Sequence, residues 1–333
     1  MPALSVKNPT LLDLSKRLDP DGQIATIVEI LNETNEILDE MTWMEGNLPT
    51  GNRAIIRTGL PIPTWRKLYG GVQPTKSNTA TITDNTGELA AYAEVDKELA
   101  DLNGNTAEFR LSEDRPHFEG FNQEIAQTLF SGDEKLEPET FTGFGPRFNS
   151  LTSENGQDNI IDAGGTGSDN TSIWLVVWSP NTVFGIVPKG SEAGLTMVDK
   201  GQVTIEDVDG AGGRMEAYRT FYQWKAGLVV KDWRYVVRIA NIDKSNLTKS
   251  PDSGPDLIDL MTQALEIPPS LAIGRATFYV NKTIRSFLRR QIVNKTVSST
   301  LTKENVAGRM AVMFDEVPVR RVDKLAVDEA QIT

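Results

Sequence analysis

The residue types that most often carry out chemistry are scarce in this sequence. Of 333 residues one is histidine, His117, and none is cysteine, which removes disulfides, thiolate nucleophiles, thiolate zinc and iron–sulfur ligation together. His117 lies in Arg115-Pro116-His117-Phe118 beside the start of an amphipathic helix, where a packed or surface imidazole is the expectation. Carboxylates are plentiful, with 46 Asp and Glu, so the enzymatic option left open is a carboxylate pair of the glycosidase kind. Glu119 and Glu124 are five residues apart on a helical pattern and point apart. Asp158, Asp162, Asp169 and Asn170 fall in a polar, glycine-rich stretch. That stretch lacks the D-x-[DN]-x-[DN]-G loop and following Glu of a calcium site, so a surface loop is expected. Gly164-Gly165-Thr166-Gly167 is followed by no lysine and opens no helix, so it reads as a turn and not as a phosphate cradle. Trp43, Trp65, Trp174, Trp178, Trp224 and Trp233 could line a sugar groove, the mark of a β-rich carbohydrate-binding or glycan-cleaving protein. Tryptophans in strands more often serve a core or an interface. With no H-E-x-x-H, Walker lysine, dinucleotide glycine fingerprint or G-x-S-x-G elbow, no catalytic, cofactor-binding or metal-binding residue is assigned. The expectation is an assembly protein, not an enzyme.

Charge says more than chemistry. The formal net charge of −12 argues against tight nucleic-acid binding, which needs clustered Lys and Arg. The average hides a segregation. Residues 51–83 carry five basic groups, Arg53, Arg57, Arg66, Lys67 and Lys76, and no acid. Residues 84–140 carry fifteen acids against four bases, and residues 273–325 eleven bases against four acids. Three blocks of alternating sign imply that segments of opposite charge meet, within one chain or between copies. No apolar run reaches the roughly 18 residues a membrane helix requires, and the N-terminus lacks a signal-peptide core. A cytosol-like compartment without membrane contact is therefore expected.

The elements that would carry these charges follow from periodicity. Leu11, Leu14 and Leu18, then Ile24 to Met41, trace a helical N-terminal arm with an acidic side. From Gly46 to Val95 the helical period is lost: a strand over 52–58, an irregular tip over 59–76 and a returning strand over 78–83 are predicted. Asp84-Asn85-Thr86-Gly87 reads as a turn before a further strand over 89–95. So few apolar residues make no private core, and an arm lying on another molecule would account for the stretch. At about 3.3 Å per residue an arm of ~20 residues reaches on the order of 60 Å. Helices are predicted over 96–102, 255–265 and 281–293, with helical chain from 106 to 131 that Pro116 either kinks or restarts, and strands over 171–188 and 310–322. Tyr218 to Ile242 alternates aromatic and polar residues, and reads as a long two-stranded ribbon with its turn at Lys225-Ala226-Gly227 and with Arg234 and Arg238 on the face opposite Val237 and Ile239.

Six segments in order, TGNRAIIRTGLPIPTWRKLYGGVQPTKSNTATITDNTGEL, AEVDKELADLNGN, FNQEIAQTLFSGD, NTSIWLVVWSPNTVFGIVPKGSEAGL, YRTFYQWKAGLVVKDWRYVVRIANID and FYVNKTIRSFLRRQI, resemble the major capsid proteins of short-tailed phages, the group with the Hong Kong 97-like fold. The resemblance spans nearly the whole chain. It implies an α+β fold with an N-terminal arm (1–49), an extended β-hairpin loop (50–95) and a spine helix of the peripheral domain (96–140). It further implies axial-domain strands and loops (141–213), a long β-ribbon of the peripheral domain (214–250), axial-domain helices (251–309) and C-terminal strands (310–333). Because the ribbon precedes the helices, a permuted connectivity is expected. The implied function is a shell of pentamers and hexamers around double-stranded phage DNA, held without sequence-specific binding, in a virion assembled in the host cytoplasm. Scaffolding, portal and decoration proteins are the further partners the resemblance suggests, with no cofactor and no membrane. A cellular encapsulin-type shell is the alternative within the same fold. For contacts between copies the candidates are Arg53, Arg57, Arg66, Lys67 and Lys76 as charges and Trp65 as an apolar anchor, docked on a neighbour's acidic surface.

Overall fold

The computed structural model describes residue 33 and residues 35–104, 106–152, 157–206, 212–247, 255–294, 301–306 and 309–333. The helices expected over 10–18 and 24–41 lie outside these residues except for a last turn, α1 (Ile37–Glu40). The chain divides into two compact units. One takes residues 1–34, 88–125 and 194–225, the other residues 35–87, 126–193 and 226–333.

In the first unit, β7 (Leu195–Glu206) runs antiparallel to β8 (Arg214–Val230), from Leu195 opposite Trp224 to Glu206 opposite Arg214, with a one-residue shift between Asp199 and Gly201. β8 is also a neighbour of β3 (Asn78–Asp96). Asp96 caps α2 (Lys97–Ala100), accepting from the backbone N–H groups of Glu98 and Leu99. The 26-residue α3 (Thr106–Ser131) carries Pro116 inside it without ending. Here the pattern of Phe109 and Phe121 is satisfied against the sheet: Phe109 packs with Val95, Leu99 and Tyr218, and Phe121 with Ala93 and Tyr222. His117 stacks on the Tyr222 ring at 5.3 Å, a packed imidazole.

The second unit is built on a sheet ordered β4-β9-β5-β10-β13-β12-β11, from β4 (Ile160–Asp162), β9 (Val236–Asp243), β5 (Asn170–Trp178), β10 (Arg275–Val280), β13 (Val317–Arg321), β12 (Arg309–Phe314) and β11 (Leu301–Val306). The pairings from β9 to β5 and β5 to β10 are antiparallel, and that from β10 to β13 is parallel. Ile173, Leu175, Val237, Ile239, Phe278 and Val280 point to one face, where α4 (Leu257–Glu266) and α5 (Lys282–Asn294) bury Leu257, Met261, Ile284 and Leu288 on them. Trp174, Trp178 and Tyr279 alternate to the other face and pack with Phe130, Phe144 and Phe148. All nine residues of β5 are buried, which explains its unbroken apolar run.

Two expected turns are absent. Asp84-Asn85-Thr86-Gly87 lies within β3, a single strand of 19 residues. Lys225-Ala226-Gly227 lies within β8, and the chain turns only at the short 3-10 helix Trp233–Tyr235. The ribbon is therefore not a hairpin of β8 on β9. β8 pairs with β7, β3 and β6 (Val183–Val187), while β9 pairs with β4 and β5. The glycines are there because other chain passes close: a Cβ on Gly227 would stand 2.8 Å from the Asn85 carbonyl oxygen, and one on Gly87 2.8 Å from that of Glu139. Arg238, on the face opposite Val237 and Ile239, is 6% exposed. With both faces of this sheet covered, alternation no longer separates wet from dry. The guanidinium is held by Phe148 O at 2.7 Å, Ser172 Oγ at 3.0 Å and Glu329 Oε2 at 2.9 Å, and lies over Trp174. Burial pulls its pKa below the usual arginine value, against the pull of Glu329.

Candidate assembly surface

The three most exposed large apolar side chains of the described residues, Trp65, Tyr69 and Leu68, stand on one hairpin. β2 (Gly51–Gly59) pairs antiparallel with the first part of β3, from Gly51 opposite Asn85 to Gly59 opposite Asn78. The hairpin's tip, residues 60–77, forms neither helix nor strand. It carries Leu60, Ile62, Trp65, Leu68, Tyr69 and Val72 into solvent, Trp65 at 104% and Tyr69 at 103% exposure. Tyr69 is held at φ 61° in a turn closed by Gly70 N–H donating to Lys67 O at 3.0 Å, a strained backbone for a bulky residue. Isolated exposed apolar residues are ordinary, but six on one segment make it the candidate interaction surface.

The charged candidates share this hairpin. Arg53 and Arg57 lie on one face of β2 with Ile55 between them, facing Thr83, Thr79 and Thr81 across the ladder. Their side chains are exposed, as are those of Trp65, Arg66, Lys67 and Lys76. None of the five cations joins an ion pair among the described residues. The opposite face, with Ala54, Ile56 and Ile82, is buried or half-buried. Arg53 and Arg57 are thus brought together on one face, and Trp65, Arg66 and Lys67 along one stretch of tip.

What holds the hairpin at its root was not legible as a site. Arg147 reaches Asp84 at 2.8 Å, with the Asp84 carboxylate 5% exposed, and also donates to the carbonyls of Thr142 and Leu228. Burial raises the Asp84 pKa above the ordinary carboxylate value, although Arg147 opposes the shift. At Gly51 a Cβ would sit 2.1 Å from the Asp84 carbonyl oxygen, so only glycine lets β2 and β3 close there. Asn47 completes the root, its amide donating to Arg53 O at 2.7 Å and accepting from Arg53 N–H at 2.8 Å.

A second charged assembly is settled within the chain. Glu36 and Glu40 meet Arg285 at 3.2 Å, Arg320 at 3.7 and 2.8 Å and Arg275 at 3.1 Å. Part of the acidic arm and part of the basic 273–325 block thereby neutralise each other inside one copy.

The chemistry considered at first finds no common site. Asp162 accepts from Gly164 N–H at 2.9 Å and from the Asn241 amide at 2.8 Å, which makes it a turn former. Glu119 accepts from Gln123 and from the Glu33 N–H. Trp174 and Trp178 are 1% exposed in the core while Trp65 stands on the hairpin tip, so the six indoles share no groove. Among the described residues no group of three or more acids and histidines is arranged as a metal site, and no helix is long and apolar enough to cross a membrane.

Comparison with known proteins accounts for this distribution. Residues 19–333 match the family described as major capsid protein GP7. A chain of the near-atomic-resolution structure of bacteriophage Epsilon15 is 36% identical, with 100% of each chain covered and a TM-score of 0.79. The bacteriophage JBD30 capsid is similar at 10% identity over 89% of this chain and 92% of that one, with a TM-score of 0.49. The capsid of a native GTA particle is similar at 12% identity over 68% and 95%, with a TM-score of 0.47. Curated protein sequences give no match. With a family match over almost its entire length and a relative alike from end to end, the chain belongs to the GP7 family of major capsid proteins, non-enzymatic building units of icosahedral tailed-bacteriophage shells with the Hong Kong 97-like fold.

Proposed function

We propose that copies of this chain gather as pentamers and hexamers, that the β2–β3 hairpin lies across a neighbouring copy, and that the closed shell holds double-stranded DNA. The hairpin tip carries this reading. Its six exposed apolar side chains and the hairpin's five cations, unpaired among the described residues, would be poorly placed on a molecule that acts alone. Burying a side chain of this size yields roughly 1.5–3 kcal/mol, so covering the tip would contribute on the order of 10 kcal/mol before the costs of association. Its acidic counterpart is narrowed by the pairing of Glu36 and Glu40 with the chain's own arginines. In the acidic block, Glu98, Glu108, Glu137 and Glu139 are exposed and make no ion pair among the described residues. These are the groups on a neighbour that Arg53, Arg57, Arg66, Lys67 and Lys76 would meet, with Trp65 as anchor. Complementary charge sets register more than affinity.

The peripheral domain is assigned to α3 with β7 and β8, and the axial domain to the seven-stranded sheet with α4 and α5. β8 precedes both of those helices in the chain, which supports a permuted connectivity. A net charge of −12 suits a wall that repels packed phosphates, and assembly would take place in the host cytoplasm, around scaffolding and portal proteins and under any decoration protein. The test is electron microscopy of the expressed chain beside an Arg53→Glu/Arg57→Glu variant. Closed particles from the wild type and soluble, folded but unassembled variant are expected. Normal shells from the variant would refute hairpin docking, and an enzyme cargo in place of DNA in native particles would refute the genome container.

A further inference from the structure

We infer that, within a ring of copies, the exposed acidic edge of α4 (Leu257–Glu266) docks against the exposed basic edge of α5 (Lys282–Asn294) of the next copy. This rests on the ring-forming reading above, and deepens it by naming the contact. Both helices lie on the same face of the second unit's sheet, but they sit apart on it. α4 packs on β9, and α5 on β13 and β11. The strands β5 and β10 run between β9 and β13. The two helices therefore cover different strands of that one face, with two strands between them.

Their outer stripes are opposite in sign. α4 contains no Lys or Arg, and exposes Asp259 and Glu266, seven residues apart. α5 exposes Lys282 and Arg289, also seven apart, with Arg290 beside them. Seven residues are two turns, so each pair of charges is separated by about 10.5 Å along its helix, and the two stripes match in length. One turn before Arg289, Arg285 is already taken by Glu36 at 3.2 Å. By contrast Lys282, Arg289, Asp259 and Glu266 join no ion pair among the described residues, and Arg290 only covers the Phe287 ring at 5.2 Å. In the ring proposed above, the acidic stripe of each copy meets the basic stripe of the next, a head-to-tail contact, and such contacts close into rings where the rotation closes.

Head-to-tail pairing makes an unusual prediction about ring parity. Take one chain with α5 reversed (Lys282→Glu/Arg289→Glu/Arg290→Glu) and another with α4 reversed (Asp259→Lys/Glu266→Lys). Each alone presents like charges at every contact, and should yield at least tenfold fewer rings and shells than wild type. A single chain carrying both reversals should recover closed shells. An equimolar mixture of the two single-reversal chains satisfies every contact only by alternating around the ring, which is possible for six copies and impossible for five. Electron microscopy and native mass spectrometry should then find hexamers, with sheets or tubes in place of closed icosahedra.

Wild-type yields of closed shells from either single-reversal chain, or a mixture that forms pentamers as readily as hexamers, would overturn the pairing. Shells of normal geometry that no longer retain DNA in the α5-reversed chain would overturn it too, and assign that stripe to nucleic acid. Circular dichroism and thermal melting establish that each variant folds. Should a reversal unfold the chain, the milder Arg289→Gln/Arg290→Gln variant must still slow assembly several-fold and flatten its dependence on salt, and an unchanged rate would count against the pairing. Failure of the wild-type chain to form any ring would instead refute the shell reading beneath it.

Discussion

Replacing Arg238 by Met removes a cation that the second unit holds on four sides. The guanidinium donates to Glu329, Ser172 and the Phe148 carbonyl and covers the Trp174 ring at 4.8 Å. Met fills much of the space against Trp174, so the cost is mainly electrostatic: a Glu329 carboxylate left only 17% exposed without its cation, and a backbone carbonyl without a donor. Removing one partner of such a pair costs about 3–5 kcal/mol, and about 4 kcal/mol is expected here. Glu329→Leu should cost at least as much, since it strands a cation that is 6% exposed. Making both changes replaces the pair with apolar packing, which is often near neutral, so the double variant should lie within about 1.5 kcal/mol of wild type. Urea unfolding of the unassembled chain, followed by fluorescence of Trp174 and Trp178, reads these differences. For a unit of this size each single variant should melt about 10 °C lower. A double variant as unstable as the two singles summed would show that Arg238 and Glu329 act independently, and the account of this core would be wrong.

Other perturbations separate the hairpin's root from its tip. Trp65→Ala should leave folding stability within about 0.5 kcal/mol, because the side chain is 104% exposed, while lowering shell yield at least tenfold by sedimentation. Gly51→Ala drives a Cβ into the Asp84 carbonyl at 2.1 Å, and should cost about 3 kcal/mol, with faster hydrogen exchange over residues 51–59. Asp84 has a folded pKa above its unfolded value, chiefly through burial, so the folded state holds the proton more tightly. Its contribution to stability is then greatest below the unfolded pKa, and is lost as pH rises through the folded one. Asp84→Asn should remove that slope from melting temperatures taken across the acid range, and an unchanged slope would place the titration elsewhere.

Helices and buried strands were readable in advance where one physical demand set the pattern. α4 has a stripe at positions 257, 258, 261 and 264 because one side meets a sheet, and β5 is apolar throughout because both sides do. The errors fell where a residue answered a demand made by chain distant in sequence. Gly87 and Gly227 looked like turn formers, yet each is a strand residue pared down because a Cβ there would meet a backbone carbonyl oxygen at 2.8 Å. Arg238 carries the hydrophilicity of an edge residue, and nothing near it in sequence announces that Glu329, 91 residues on, will meet it in the core. The hairpin's basic character was visible because it depends on local composition alone. Its root was not, since Arg147 and Asp84 are joined only by the fold.

The division of charge also explains how one chain could remain a monomer and still be primed to assemble. Where opposite charges meet inside the copy they are shielded, as at Glu40, whose side chain is 7% exposed between Arg275 and Arg320. Such a pair is little affected by salt. The hairpin cations and the stripes of α4 and α5 are exposed, so salt at 1 M, with a Debye length of ~3 Å, weakens them selectively. On the proposed docking the chain would separate two jobs by depth: buried pairs fix the shape of each copy, and exposed ones, weak singly and numerous in a shell, would let misplaced copies leave before the apolar tip locks the correct arrangement.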